Sequence, residues 1–551
     1  MSSWRDVNAI YQIYPRSFKD SNDDGVGDLR GVIDKLGYLH GEKDSLGVDA
    51  IWFSPFFKSP MADFGYDVSD YCDIHPLFGT LGDFKELLDK AHKRNIKVMI
   101  DFVPNHTSDE HPWFIDSKNS KTSDKSDYYV WRDPKHDGTE PNNWQSIFGG
   151  SAWEYDEARG QYYLHTFLKE QPDLNWDNPL VRKEMQNILK FWFDMGVDGI
   201  RADAVRWISK DPLFRNDPTN PKFKPGPLAD NYGSVIHKHS RFGKHLFTYL
   251  RELTDVVAEY DDRIMIFEDY PDDEIGAVRD QYLGFYSINP EVSMPFNFTG
   301  IGAPFKAEVY SDFISDFQGM LTSEHMPVYC FGNHDQPRLA SRVGGEQARA
   351  VALMQLTLPG LPVVYYGDEI GMKNVPIPAD MIQDPVEIQK PGLGQVRDPE
   401  RTPMQWDATD GAGFSNAQPW LPVAQTSIAY NVASELFEPD SYLALYRRML
   451  KLRTQLDVLR HGDYEVFGDQ EDDTFVYARR LDGEHVFVAI NFSDRQRTAQ
   501  LPHGGKVLCC THPVDYPEVG VTGEVFLRPY EAALIECEKH PLVNFRDSVT
   551  Q

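Results

Sequence analysis

The stretch Gly199-Ile200-Arg201-Ala202-Asp203-Ala204-Val205 decides the fold of this 551-residue chain. Its length and its apolar residues indicate a buried strand, and the run before it predicts an amphipathic helix. Arg201 and Asp203 are two residues apart, so they point to the same side of a strand. Burying this charged pair is costly unless the two groups are paired or used for chemistry. Two interpretations stay open at this point: a structural ion pair at a strand end, or a reactive carboxylate at the mouth of a barrel.

Strands alternate with helical stretches along most of the chain, on both sides of this stretch. Such alternation predicts a parallel sheet, and seven strands are recognisable. An eighth is predicted near 284–288, which favours a (β/α)8 barrel, the TIM barrel, over an open sheet. No glycine-rich phosphate-binding motif follows the first strand, which weakens a nucleotide-binding interpretation. The seven predicted strands are 9–14, 47–55, 96–103, 199–205, 263–270, 326–331 and 360–366.

Two regions depart from this alternation. Residues 105–172 are polar and have no clear period, which predicts an inserted, loop-rich subdomain after the third strand. From residue 461 onward, short alternating apolar runs separated by turns predict a C-terminal antiparallel β-sandwich domain, with a polar tail at 538–551. The predicted domains are therefore the barrel at 1–104 and 173–460, the insertion at 105–172 and the β domain at 461–551.

Composition narrows the possible partners. The formal net charge is −30, and an acidic surface repels nucleic acid and anionic membranes. The start of the chain lacks the pattern of a signal peptide, and no apolar run is long enough for a transmembrane helix. The five cysteines are sparse and show no metal spacing. We expect a cytoplasmic protein with free thiols, a monomer or homodimer, that acts on a neutral small molecule.

Polar residues follow four of the predicted strands. Barrel enzymes place functional groups at the C-terminal ends of strands, so these residues are expected to meet on one rim. Several carboxylates on one rim indicate hydrolysis of an acetal, which needs an acid for the leaving oxygen and an opposed carboxylate. Arg201 is expected to keep Asp203 ionised as a nucleophile, whereas the apolar run before Glu268 suits a general acid. The four sets are 101–106, 201–203, 268–269 and 333–335.

Sequence motifs at these strand ends resemble those of the α-amylase family (glycoside hydrolase family 13). Two further motifs, QPDLNW at 171–176 and RDPERTPMQWD at 397–407, are typical of its α-glucosidase and oligo-1,6-glucosidase branch. The resemblance covers nearly the whole chain, with all motifs in the family's order. The strand-end motifs are DFVPNH at 101–106, GIRADAV at 199–205, FEDY at 267–270 and GNHD at 332–335.

The resemblance implies a role for each matching residue. Asp203 corresponds to the nucleophile, Glu268 to the acid/base and Asp335 to the stabiliser of the transition state. Tyr66 would stack on the terminal glucose, and Phe167 is a candidate for the pocket wall. Arg397 and Arg401 are alternatives for a contact with the same sugar, of which Arg397 is favoured. The full set implied to bind substrate is Asp63, Tyr66, His106, Phe167, Arg201, His334 and one of Arg397 and Arg401.

The resemblance also implies the type of reaction. The insertion would close one end of the site, so that only a chain end enters and glucose is released. In this branch, valine after the nucleophile favours α-1,6 bonds, whereas alanine or threonine favours α-1,4; here the residue is Ala204, whose small side chain leaves room beside the acceptor sugar. Sucrose-isomerising relatives carry an arginine-rich loop, and residues 282–324 contain no arginine.

We therefore predict a retaining, exo-acting α-glucosidase that prefers α-1,4 bonds in short saccharides or sucrose and works through a covalent glucosyl-Asp203 intermediate. A transglucosylase and an oligo-1,6-glucosidase, both on the same machinery, are the close alternatives. A non-catalytic binding subunit is a remote one, because such relatives often lose carboxylates that are all present here.

The first loop carries oxygen-bearing residues at alternating positions, from Asp20 to Asp28. This resembles the start of a calcium loop of the EF-hand kind, although Gly31 stands where the closing glutamate would be. A glycine-rich turn with solvated acids is the alternative. We predict a structural Ca²⁺ or Mg²⁺ and no cofactor for the chemistry. The predicted ligands are Asp20, Asn22, Asp24, the Val26 carbonyl and Asp28.

Overall fold

The computed structural model describes residues 3–226, 229–274, 276–467, 473–512 and 520–537. At its centre is a closed barrel of parallel strands, in which each strand pairs with its neighbours in chain order and the last strand pairs with the first. The predicted TIM-barrel architecture is confirmed. The barrel strands are β1 (Ile10–Ile13), β2 (Ala50–Phe53), β3 (Lys97–Phe102), β4 (Gly199–Ala202), β5 (Ile264–Phe267), β6 (Ser293–Asn297), β7 (Val328–Cys330) and β8 (Leu361–Tyr365).

Helices follow the strands and cover the outside of the barrel. Local sequence explains where they begin and end: Thr80 and Asp83 form a reciprocal capping box, and Asn178 caps a helix that ends at the left-handed Gly196. The main helices are Leu29–Leu39, Leu81–Lys93, Pro179–Met195, Leu246–Val257, Val278–Tyr286, Ala307–Met320, Gly345–Thr357 and Tyr442–Gln455. Shorter helices are Pro15–Phe18, Pro112–Asn119, Thr299–Gly302, Leu339–Arg342, Pro385–Gln389, Val432–Glu435 and Asp457–His461.

The prediction of a strand near 284–288 is wrong. Those residues lie at the end of the helix Val278–Tyr286 and just beyond it, and the sixth barrel strand is Ser293–Asn297. Pro295 stands in that strand, and a proline within a run of residues argues against a strand on sequence alone. The strand is nevertheless buried along its whole length and pairs with β5 and β7.

The predicted insertion contains its own small sheet. Its strands are Trp131–Arg132, Trp153–Asp156 and Gln161–Leu164, with the last in the middle. A further antiparallel pair, Phe57–Lys58 with Asp70–Ile74, follows β2. Aromatic side chains pack the insertion: the rings of Phe114 and Trp131 stack 5.7 Å apart. The stretch without a clear period is therefore a folded unit held by side-chain packing.

The C-terminal part is antiparallel, as predicted. Its larger sheet has the order Asp463–Phe467, Thr474–Leu481, Glu484–Asn491, Ala532–Cys537, Gly505–Cys510 and Gly520–Val521, and a second sheet pairs Arg497–Gln500 with Glu524–Leu527. The predicted tail at 538–551 lies outside the described residues.

The five cysteines all lie in the described ranges and carry free thiols. Among the helices that the structure describes, none has the length and apolar character needed to cross a membrane.

Candidate active site

The end of β4 places Asp203 on the rim of the barrel. The strand ends at Ala202, shorter than the predicted 199–205, and the backbone N–H of Asp203 donates to the carbonyl of Phe102 at the end of β3 (2.8 Å). Ala204 then takes the left-handed conformation (φ 49°), and the chain leaves the strand in a short 3-10 turn. Asp203 is therefore fixed at a strand end by backbone bonds to the neighbouring strand.

Arg201 joins three carboxyl groups from three strand ends. Its Nη1 lies 2.6 Å from Oδ1 of Asp203 and 2.8 Å from Oδ2 of Asp101, and its Nη2 lies 3.0 Å from Oε2 of Glu268. The guanidinium is 1% exposed, and both Asp203 and Glu268 line a cavity. Arg201 and Asp203 thus form a buried ion pair in which Asp203 lines the cavity and Arg201 lies behind it.

Burial and neighbouring charges shift the pKa values of two of these carboxyl groups, Asp203 and Asp101. Burial raises the pKa of Asp203; Arg201 opposes this shift, while Glu268 and Asp101 add to it. Burial likewise raises the pKa of Asp101 to about 6, with Arg201 again opposing. For both Asp203 and Asp101, burial therefore favours the neutral carboxyl and the Arg201 guanidinium favours the ionised one.

Glu268 is held by two donors on one of its oxygens. The backbone N–H of Ala204 donates to Oε2 (2.9 Å), the same oxygen that contacts Arg201. Glu268, which lines the cavity, is therefore held in place by the Arg201 guanidinium and the backbone of Ala204.

Asp335, at the end of β7, lies in a cationic environment. Its Oδ1 contacts Nη2 of Arg401 (2.8 Å) and Nη1 of Arg397 (3.4 Å), and its Oδ2 lies 3.3 Å from Nε2 of His334. Burial works to raise the pKa of Asp335, but the Arg401 and Arg397 guanidiniums hold it below its ordinary value. Asp335 is therefore an anion and can stabilise positive charge on a bound group.

A chain of hydrogen bonds under the cavity orients His334 and Tyr66. Gln12 donates to Nδ1 of His334 (2.8 Å), so the ring proton sits on Nε2, which lies 2.5 Å from the Tyr66 hydroxyl. Tyr66 in turn donates to Asp101 (2.9 Å). Burial holds the pKa of His334 well below its ordinary value, so the ring is neutral and this direction of donation is kept.

Arg397, which contacts Asp335, also joins a second ion-pair cluster. Nη2 of Arg397 contacts Asp63 (2.8 Å) and Asp384 (2.9 Å). Gln171 donates to Asp63 (3.3 Å) and lies 3.1 Å from Nε2 of His106. Burial lowers the pKa of His106 to about 4, so it is a neutral hydrogen-bonding group. Through Asp63, His106 and Arg397 this cluster contributes polar groups to the lining of the cavity.

The cavity brings most of the predicted residues together. Its volume is about 600 Å³, within the usual range for small-molecule sites. Arg201, His334 and Arg401 lie behind its wall, fully buried. Arg397 lines the cavity and Arg401 does not, which agrees with the preference for Arg397. The predicted residues that line it are Asp63, Tyr66, His106, Phe167, Asp203, Glu268, Asp335 and Arg397.

Comparison with known proteins decides the family. The model of the α-amylase catalytic domain matches residues 12–462. The chain belongs to the α-amylase family. It is a glycoside hydrolase of the branch that contains the oligo-1,6-glucosidases and α-glucosidases. It is 39% identical to an oligo-1,6-glucosidase of Parageobacillus thermoglucosidasius, over 96% of this chain and 98% of the relative, and 39% identical to an α-glucosidase of Culex pipiens, over 90% and 83%.

Solved structures agree with this assignment. An α-glucosyl transfer enzyme superposes with a TM-score of 0.89 at 35% identity, covering 98% of this chain and 100% of that structure. The trehalulose synthase MutB of Pseudomonas mesoacidophila MX-45 superposes with a TM-score of 0.86 at 35% identity, covering 97% and 99%. The glycoside hydrolase described here thus shares its fold with an α-glucosyl transfer enzyme and with a trehalulose synthase.

Several cavity residues of this glycoside hydrolase were missed by sequence reasoning. Phe148 and Trp207 line the cavity, and the Arg397 guanidinium lies 5.4 Å from the centre of the Phe148 ring. Asp384 positions Arg397 from outside any recognised motif. Gln12 offered a signal that was overlooked: it is a polar residue within the apolar strand β1, and it orients His334.

The loop proposed to hold a metal is a compact turn. The Asp20 carboxylate accepts from the backbone N–H groups of Asn22 and Gly25 and from the Ser415 hydroxyl. Asp28 caps the following helix through Gly31. Within the described ranges no three His, Cys, Asp or Glu side chains are grouped as a metal site. The predicted ligand set, which also uses an asparagine and a carbonyl, is an all-oxygen set of the kind that Ca²⁺ and Mg²⁺ take.

Proposed function

We propose that this glycoside hydrolase is a retaining, exo-acting α-glucosidase that prefers α-1,4 bonds in short saccharides. The observation that carries the exo mode is the ion-pair cluster in which Arg397 bridges Asp63 and Asp384 in the wall of the cavity. A polysaccharide chain cannot pass through this wall, so only a terminal glucose fits beside Asp203. The polar wall offers carboxylate and guanidinium partners to the hydroxyl groups of that glucose.

The retaining mechanism is supported by the way Arg201 holds the two carboxyl groups. Asp203 and Glu268 contact the two terminal nitrogens of one guanidinium, which favours the separation of about 5 Å found in retaining enzymes over the wider one of inverting enzymes. In this proposal Glu268 protonates the glycosidic oxygen and Asp203 attacks the anomeric carbon. Water, activated by the ionised Glu268, then releases α-glucose. Asp335 stabilises the oxocarbenium-like charge in both steps.

The exo mode is tested with an oligosaccharide whose non-reducing end is chemically blocked. We expect maltohexaose to be cleaved to α-glucose and the same sugar carrying a 4,6-O-benzylidene group to resist cleavage, since the blocked ring cannot enter past Arg397. Products are followed by NMR, which also reports the anomer formed first. An endo-acting amylase serves as the positive control for the blocked sugar. Cleavage of the blocked sugar would disprove the exo mode, and β-glucose as first product would disprove retention.

The linkage preference is tested at Ala204, which lines the cavity next to Asp203. An Ala204→Val enzyme is expected to lose about tenfold in the ratio of kcat/KM for maltose to kcat/KM for isomaltose, because added methyl groups fill the acceptor side. Valine is also strained at φ 49°, so the matched control is Ala204→Gly, which keeps the room without strain. A wild-type enzyme that prefers isomaltose would refute the α-1,4 assignment and favour the oligo-1,6-glucosidase alternative.

Transglucosylation is the second candidate activity. The cavity holds about 600 Å³, and Trp207 and Tyr232 line it in addition to the residues that surround the terminal glucose. A sugar hydroxyl can replace water in the second step without any other change. Product analysis at high maltose concentration separates the two outcomes, since transfer yields trisaccharides and hydrolysis yields only glucose.

We also propose that the first loop binds a structural Ca²⁺ or Mg²⁺ through Asp20, Asn22, Asp24, Asp28 and the carbonyl of Val26. A ligand that binds only the folded state raises its stability, so either ion is expected to raise Tm by several degrees over a sample in EDTA. Asp24→Ala should abolish this shift, and Asp34→Ala, an exposed aspartate in the helix that follows, should preserve it. An equal Tm with and without the ions would refute the site.

A further inference from the structure

A second arginine joins the ends of the strands that carry Asp203 and Glu268. Arg206 lies three residues after Asp203, and Asp269 is the residue after Glu268. Nε of Arg206 lies 2.7 Å from Oδ1 of Asp269, and its Nη2 lies 3.2 Å from Oδ2 of the same carboxylate. A two-point contact of this kind fixes the orientation of both groups as well as their distance. The ends of β4 and β5 are therefore joined twice, once by Arg201 and once by this pair.

Both members of the pair are buried and have protein partners. Arg206 is 2% exposed and Asp269 is 1% exposed, and both border the catalytic cavity. The remaining nitrogen of Arg206, Nη1, contacts Asp272 (2.8 Å), and Nη2 also donates to the carbonyl of Tyr270. All three guanidinium nitrogens and both oxygens of Asp269 are thus engaged within the protein. The influence of the pair on the reaction therefore passes through the backbone segments that it joins.

A chain of alternating charges continues from Arg206. Asp272 also contacts Arg241 (2.9 Å), and Arg241 in turn contacts Glu274 (3.0 Å). Arg206 and Arg241 lie in the segment after β4, whereas Asp272 and Glu274 lie in the segment after β5. Each contact in this chain therefore joins the same two segments, and the segment after β5 begins with Glu268.

The position of Glu268 depends on this segment, because β5 ends at the residue before it. The backbone N–H of Glu268 donates to the carbonyl of Ala202 (2.9 Å), and the next residue is Asp269, which Arg206 holds. A general acid transfers its proton only within hydrogen-bond reach of the leaving oxygen. A misplacement of about 1 Å can lower a rate about a hundredfold. The contact at Asp269 thus lies where it can fix the position of an acid at Glu268.

We propose that Arg206 and Asp269 are positioning residues for proton donation by Glu268. The pair holds the backbone that carries Glu268 in a fixed relation to the backbone that carries Asp203, so that the acid reaches the leaving oxygen while Asp203 faces the anomeric carbon. The pair itself makes and breaks no bond. This inference rests on the proposed roles of Asp203 and Glu268, and it holds for either linkage preference.

The test compares two substrates that differ in their need for the acid. The sugar leaving group of a disaccharide needs a proton, whereas p-nitrophenolate leaves without one. The disaccharide is whichever of maltose and isomaltose the full-length wild-type chain cleaves faster, and the second substrate is p-nitrophenyl α-glucoside. The readout is kcat/KM for the disaccharide divided by kcat/KM for the aryl glucoside. This ratio reports proton donation and is independent of the fraction of enzyme that is active.

Breaking the two-point contact is expected to lower this ratio. Asp269→Asn should lower it about tenfold, because the amide accepts through one oxygen only. Arg206→Lys should lower it about fivefold, because an ammonium keeps the charge but lacks the planar fork of donors. Asp262→Asn is the matched control and should leave the ratio unchanged. Asp262 contacts Lys97 (2.6 Å) and thereby joins the segments at the opposite, N-terminal ends of β5 and β3.

Glu268→Ala separates the positioning role from the proposed function. Its ratio should fall more than about a hundredfold, because the acid itself is removed. An unchanged ratio in Glu268→Ala would refute the proposed acid, and the positioning role with it. If Glu268→Ala lowers the ratio but Asp269→Asn or Arg206→Lys stays within twofold of wild type, only the positioning role is overturned. A tenfold fall in Asp262→Asn would also overturn it, since any broken ion pair of the barrel would then have this effect.

Discussion

Replacing Glu268 or Asp203 by alanine is expected to give opposite products when azide is supplied. Each change should lower maltose hydrolysis by about a thousandfold or more, since one removes the proton donor and the other the nucleophile. With p-nitrophenyl α-glucoside, whose leaving group needs no proton, Glu268→Ala should still form the glucosyl-Asp203 intermediate. Azide then attacks it from the face that water uses and gives α-glucosyl azide.

Asp203→Ala should give the azide of the opposite anomeric configuration. With the carboxylate gone, azide occupies its place and attacks the substrate directly, which inverts the anomeric centre and gives β-glucosyl azide. NMR of the isolated azides distinguishes the two products. Asp335→Ala is the matched control, because it removes a carboxylate from the same cavity without making room for azide on either face of the anomeric carbon. It should give no azide product. If Glu268→Ala gave the β product, the two roles would be exchanged.

Loss of Arg201 is expected to cost stability as well as activity. Arg201→Leu leaves Asp101, Asp203 and Glu268 buried beside each other without their cation, and breaking a buried pair in this way costs about 3–5 kcal/mol. Without the guanidinium the pKa values of Asp101 and Asp203 rise further above their unfolded values. The penalty is therefore fully present above those raised pKa values and shrinks as the pH falls through them.

The measurement is the free energy of unfolding from urea curves at pH 5, 6.5 and 8. The difference between wild type and Arg201→Leu should be largest at pH 8. Arg479→Leu is the matched control, since Arg479 is equally buried but donates to backbone carbonyls of Thr357, Leu459 and Gly462. Its loss should cost stability with little dependence on pH in this range. A deficit for Arg201→Leu that is the same at all three pH values would show that the three carboxyl groups do not depend on its charge.

The barrel and the catalytic carboxylates could be predicted because both leave local signals. Strands and helices alternate with their own periods, and parallel strands bring their C-terminal ends to one rim, so Asp203, Glu268 and Asp335 had to meet. The sixth strand was misplaced because Pro295 breaks the local pattern of a strand that tertiary burial nevertheless stabilises.

The charge states could not be predicted from neighbours in sequence. Arg201 is two residues from Asp203, which suggested an ion pair between these two residues alone. The strands β3 and β5, however, bring Asp101 and Glu268 to the same guanidinium. A pKa depends on burial and on every charge within a few ångströms, and most of those charges come from distant parts of the chain.

The amino-acid sequence by itself determined the barrel, the place of the inserted and C-terminal units, and the identity of the residues on the rim. Only the tertiary structure decided how they are held: Gln12 orients His334 across 322 residues, and Asp384 together with Asp63 positions Arg397. Periodicity and motifs are properties of short segments, whereas these contacts exist only when the barrel closes and brings its first and last strands together.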